Sequence, residues 1–188
     1  MQERICPFGP LLVAHRKNAG LSQWQFAVRT GVNVTNLRKI EKGKTQPGVI
    51  TALYIVEALN IGTGNFFSEL AQQQNLISDK INVTPSKQSI LSKFDKLILK
   101  IQDNNQNFCL FGIFFKLIRL ELNISQKYAV NYAQYQLRNI LDVESGKQEP
   151  GVMTALALVC ATGCDVAWFF NLLAEHSLKI YENKISGI

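Results

Sequence analysis

A chain of 188 residues, 47% hydrophobic and 18% charged, can bury a core and is too apolar for wholesale disorder. Its net charge of +6 suits a polyanionic partner. A membrane span needs about 20 largely apolar residues, but Phe108–Leu122 is interrupted by Lys116, Arg119 and Glu121, and Val152–Leu173 by Gly163 and Asp165.

Met1–Pro7 lacks the charged-then-apolar layout of a secretory leader, so a cytoplasmic protein without membrane contact is expected. In that reducing compartment Cys6, Cys109, Cys160 and Cys164 read as small buried hydrophobes. Cys160 and Cys164 lie one turn apart on a predicted helix, but no further pair of ligands accompanies them, and a metal site usually needs four. No metal, cofactor or small-molecule ligand is expected.

Pro10–Asn18 forms the first predicted helix, closed by Gly20. Ser22 caps a second, running to about Arg29, and Gly31 makes the following turn. Asn33 caps a third, which ends at Gly43 with Lys42 in its last turn. Pro47 precedes a fourth, Val49–Leu59, and Phe66–Gln72 makes a fifth. Together these form a domain over residues 5–75. Residues 76–107 read as a linker rich in Gln, Asn, Ser and Lys, with a loop at Thr84-Pro85-Ser86. Within it Ile90, Leu91, Phe94, Leu97, Ile98 and Ile101 recur at helical spacing, with Lys93, Asp95, Lys96 and Lys100 opposite. This predicts an amphipathic helix over 89–102, capped by Ser86 or Ser89. Its apolar stripe needs cover, from one of the domains or from a second chain.

Residues 108–178 then repeat the first domain, shifted by about 103 positions without a gap. Cys6, Phe8 and Gly9 fall on Cys109, Phe111 and Gly112; Arg16 falls on Arg119, Asn36 on Asn139 and Glu41 on Glu144. Ser22-Gln23, Pro47-Gly48-Val49, Thr51-Ala52-Leu53 and Phe66-Phe67 recur in the same register. Residues 179–188 read as a tail.

In the first copy Phe26, Ala27, Val32, Leu37 and Ile40 form an apolar set. Ala27 is small where the second and third helices cross, and Gly31 can take the positive φ of a short turn. Asn33, Thr35, Asn36, Arg38 and Lys39 are left on the polar side of the third helix. The Ser22-Gln23 start, Ala27 with Gly31 four residues on, the Ile40-Glu41-Lys42-Gly43 finish, Pro47 and the apolar Val49-Ile50-Thr51-Ala52-Leu53 resemble the Cro and lambda-repressor type of helix-turn-helix, the XRE-like family of bacterial and phage regulators. The resemblance covers Leu11–Leu70 and, more loosely, Phe114–Leu173. It implies an all-α protein of two tandem lambda-repressor-like five-helix domains joined by a helical linker.

The resemblance also implies roles. Gln23 would bond the DNA backbone and set the docking angle. The helix 33–42 would enter the major groove N-terminus first, with Asn33, Val34, Thr35 and Lys39 at base edges. Asn36 and Arg38 would serve nearby bases or phosphates, and Lys42 and Lys44 phosphates. Glu41 reads as structural, since an acid beside phosphate is otherwise repelled.

The second copy departs in ways that bear on this. Gln134 replaces Gly31, Asp142 replaces Lys39, and Tyr128, Tyr132 and Tyr135 cluster about the turn. Residues 5–75 carry about +4 and residues 108–178 about −1. The second copy therefore either reads DNA itself, through Gln126, Gln136, Arg138 and Asn139, or packs and dimerises. The apolar richness of Phe111–Leu122 and the linker stripe favour a homodimer. An enzyme is excluded by the lack of a Gly-rich phosphate loop, a nucleophile–His–acid set or paired carboxylates. The reading is a sequence-specific transcriptional regulator of double-stranded DNA, acting as a repressor. The alternative is a protein-interaction module, antitoxin-like or anti-activator, on the same fold.

Overall fold

The computed structural model describes residues 5–77, 83–102 and 108–186. Among them are eleven helices and no strand. The first half holds α1 (Phe8–Asn18), α2 (Gln23–Thr30), α3 (Val34–Glu41), α4 (Val49–Glu57) and α5 (Thr63–Gln73); α6 (Lys87–Gln102) follows. The second half holds α7 (Leu110–Glu121), α8 (Gln126–Tyr132), α9 (Leu137–Glu144), α10 (Val152–Thr162) and α11 (Val166–Ser186).

Local chemistry explains most helix ends. Ser22 and Gln25 form a reciprocal capping box at α2, and the Asn33 side chain accepts from Thr35 N at 2.9 Å to start α3. Ser86 rather than Ser89 starts the linker helix: its hydroxyl accepts from Ser89 N. Several ends lie beyond the sequence expectation, two of them with consequences. α5 begins at Thr63, three residues before the predicted Phe66, where Asn171 of α11 accepts from Gly64 N at 2.8 Å. A residue far along the chain thus satisfies a donor that helix starts leave open. α11 runs on to Ser186, into the stretch read as a tail. Gln134 holds the turn before α9 at φ +51°, close to the +67° of Gly31, so the turn is kept with a residue for which that region is unfavourable. Cys164 does not share a helix with Cys160. α10 stops at Thr162, Gly163 reverses to φ +70°, and Cys164 lies beyond it.

The halves are packed against one another about a local two-fold axis. Gly48 and Gly151 pair across it as an isolated antiparallel bridge. Val49 N donates to Pro150 O at 3.0 Å, and Val152 N donates to Pro47 O at 2.9 Å. Such reciprocal pairing, in which each residue meets the counterpart of its neighbour, marks a self-complementary interface. Six phenylalanines run through it as Phe8–Phe66–Phe67–Phe170–Phe169–Phe111, an order that reads the same from either end. At its centre Phe67 stacks on Phe170 with centroids 3.9 Å apart and planes 10° from parallel, and α5 against α11 is the most extensive helix contact in the molecule. All six rings are buried, each removing about 150–250 Å² from water.

The linker breaks this symmetry. α6 lies on α7: Ile90 and Phe94 are buried, and Phe94 stacks on Phe114 at 4.4 Å. Ile113 and Leu117 of α7 are buried, whereas Pro10 and Ala14, at the corresponding places of α1, face solvent. The apolar excess of α7 and the described part of the linker stripe therefore satisfy each other within one chain. Val83 ties the linker to the second half again, donating to Gly163 O and accepting from Asp165 N. Ile98 and Ile101 lie outside the described side chains.

Candidate nucleic-acid interface

The scaffold that aims α3 is built from a buried ion pair and a missing side chain. Arg16 of α1 donates through Nε to Glu41 Oε1 at 2.5 Å and through its second nitrogen to Oε2 at 3.2 Å. Its remaining terminal nitrogen donates to Leu21 O at 2.6 Å. Gln23 Nε2 donates to Glu41 Oε2 at 2.6 Å, and Arg38 Nε donates to Gln23 Oε1 at 3.3 Å. One carboxylate thereby joins α1, α2 and the end of α3, and both charges are buried. Removing either partner would strand the other, at about 3–5 kcal/mol. Gly9 lets α1 lie directly on α3, since a Cβ there would sit 2.1 Å from Ile40 O.

Held this way, α3 buries Leu37 and Ile40 and leaves Asn33, Thr35, Asn36, Arg38 and Lys39 in solvent, with Lys42 and Lys44 beyond its end. Val34 is half-buried. The residues assigned to bases and phosphates therefore share one outward face. Gln23 stands at the α2 N-terminus, as the resemblance places it, but its side-chain amide is engaged with Glu41 and Arg38. What this leaves for a phosphate is the backbone N–H of Gln23 and Trp24, which the capping box does not engage. Gly31, at φ +67° with open space around its Cβ position, is required by the turn and not by packing.

The second half reproduces the scaffold. Arg119 bonds Glu144 at 2.6 and 3.1 Å and Ile124 O at 2.7 Å, Gln126 bonds Glu144 at 2.8 Å, and a Cβ on Gly112 would meet Val143 O. Its outward face differs. Gln136, Arg138 and Asp142 are exposed and Asn139 is half-buried. Leu137 and Leu141 are 51% and 60% exposed, one turn apart, where α3 carries Val34 and Arg38. Tyr132 is drawn away from the face, donating to Leu76 O at the end of the first half. Tyr135 is half-buried.

Arg16 and Arg119 are the residues to which sequence reasoning gave no role. Their signal was present: each stands 25 residues before its glutamate in both copies. The cysteines form no comparable cluster. Burial pushes the Cys109 thiol up to about 11 and those of Cys160 and Cys164 up to about 12, the wrong direction for thiolate chemistry. Among the described residues no three His, Cys, Asp or Glu side chains gather as metal ligands, and no helix is long and apolar enough to cross a membrane.

A short glycine turn between two crossed helices, the second offering an exposed polar face, is a helix-turn-helix. Residues 12–65 match the helix-turn-helix family model, of the XRE and lambda-repressor type, whose members are DNA-binding regulators. No curated protein and no solved structure matches the chain.

Proposed function

We propose that this chain is a sequence-specific regulator of transcription that docks α3 in the major groove of duplex DNA and represses by occupying the site. One observation carries the reading: the face of α3 opposite its buried Leu37, Ile40 and Glu41 consists of amide, hydroxyl and cationic side chains, all in solvent. These are the groups that bond base edges and phosphates. Asn33 and Asn36 suit adenine, Lys39 guanine, and Val34 or the Thr35 methyl thymine, while Lys42 and Lys44 suit phosphates. Residues 108–178 form a second domain of the same kind, with Gln136, Arg138 and Asn139 as its contacts and the Gln126 amide held by Glu144. Ile90 and Phe94 of the linker stripe pack on the apolar helix of the second half within one chain, which supports a protomer that carries two reading helices of its own. The alternative, an interaction module for another protein, draws on exposed Leu137 and Leu141.

The test is duplex selection with the full chain, followed by anisotropy titrations. Thr35→Ala and Lys39→Ala each cost about 1–3 kcal/mol per lost base contact and relax specificity at that position. Binding that falls with salt but ignores both substitutions removes α3 as the reader. A reporter behind the selected site then falls in expression if occupancy represses.

A further inference from the structure

The two-fold arrangement of the halves and the unlike faces of α3 and α9 have a joint consequence. An ordinary dimer of one-domain readers has identical halves and calls for a palindrome. Here the axis runs between Gly48 and Gly151 inside a single chain. Resting on the DNA-binding reading above, we infer that one chain is a complete two-headed reader of one duplex site with two unequal half-sites, α3 taking one and α9 the other.

Three observations support this. The first is rigidity: backbone bonds at the axis, the Phe67–Phe170 stack and the α5–α11 contact fix the halves to each other, so the spacing of the two helices is built in. The second is reach. The chain from Lys42 to Gly48, like that from Ser145 to Gly151, spans at most about 20 Å. The C-terminal ends of both helices therefore lie within about 20 Å of the Gly48–Gly151 contact, an upper bound compatible with major grooves roughly 34 Å apart.

The third is chemistry. The scaffold beneath α9 is preserved down to Arg119, Glu144, Gln126 and Gly112, so α9 is held by the same contacts as α3. What it presents is different. Arg138 stands where Thr35 does and offers a two-pronged donor for guanine; Leu137 and Leu141 offer apolar contact for thymine methyls; Asp142 stands where Lys39 does and accepts from cytosine N4. A site read through adenine, guanine and thymine by α3 is thus joined to one where guanine, thymine and cytosine contacts from Arg138, Leu137, Leu141 and Asp142 stand beside the adenine-suited Gln136 and Asn139.

The test uses the full chain and a random pool of duplexes of about 30 base pairs, long enough for two successive grooves. The expected result is a two-part, non-palindromic consensus bound by one chain per duplex in mass measurement. Lys39→Ala and Arg138→Ala, both on exposed side chains, each weaken binding roughly 5- to 150-fold, and each relaxes only its own half-site. Inserting about 5 base pairs between the half-sites turns them to opposite faces of the duplex and reduces affinity to that of one half-site alone. Two chains on a palindrome would overturn the inference and leave the DNA-binding reading standing. So would a one-part consensus indifferent to Arg138→Ala and to the insertion, which would return Leu137 and Leu141 to contact with a protein. Failure to bind any duplex in dilute salt would overturn both.

Discussion

α3 and α9 sit on the same scaffold and face the solvent with different chemistry. Beneath each lie an arginine–glutamate pair, a glutamine clipped to that pair and a glycine under the helix end. Outwardly α3 shows Arg38 and Lys39 where α9 shows Leu141 and Asp142. The buried parts answer to packing and desolvation, which are the same in both halves; the exposed parts answer only to what each half touches. Two halves on like scaffolds can therefore differ in what they present without a different fold.

This comparison can be broken most directly at the scaffold. Glu41→Ala and Glu144→Ala should each lower stability by about 3–5 kcal/mol, because each strands a buried guanidinium. Urea unfolding would measure it, and a loss below about 1 kcal/mol at one site alone, the scale of an exposed pair, would show that the two are not equivalent. Phe67→Ala and Phe170→Ala should likewise cost about 3–5 kcal/mol, in one transition seen equally by Trp24 and Trp168 fluorescence. Two separate transitions would mean that the halves fold apart. Gly9→Ala and Gly112→Ala place a methyl against backbone oxygen and should cost about 1–3 kcal/mol, with the first also weakening DNA binding by tilting α3.

Finer substitutions sharpen the difference between the faces. Asp142→Lys makes α9 more like α3 and should tighten binding to unselected duplexes while relaxing the preference for cytosine, steepening the salt dependence by about one unit in a log–log titration. An unchanged slope would place α9 away from the phosphates. Gln134→Gly removes a side chain from a left-handed turn and should stabilise by about 1 kcal/mol, while Gly31→Ala should destabilise by a similar amount. A thermal melt ranks the pair.

Much of the fold is legible because it is local. The caps Ser22 and Asn33, the turn at Gly31 and the periodicity of α3 depend on neighbours within a few residues, and they recur at the expected places. The outward face of α3 could be named for the same reason: once Leu37 and Ile40 are inward, helical geometry leaves Asn36 and Lys39 outward. Gln23 was harder, since its partner Glu41 lies 18 residues away and its amide has two plausible destinations. The start of α5 was missed because its cap, Asn171, is 107 residues distant.

By itself, then, the sequence determined which segments are helical, which faces are apolar, where the turn falls and that the whole plan occurs twice. It also required that the stripes on the linker and on Phe111–Leu122 be covered. Only the tertiary structure decided that α6 covers α7, that Arg16 reaches Glu41 and that the two copies close on each other about Gly48 and Gly151. The physical reason is that apolar burial has no direction. A pattern of side chains states how much surface must leave water, and the choice of neighbour waits for the shapes that can meet it.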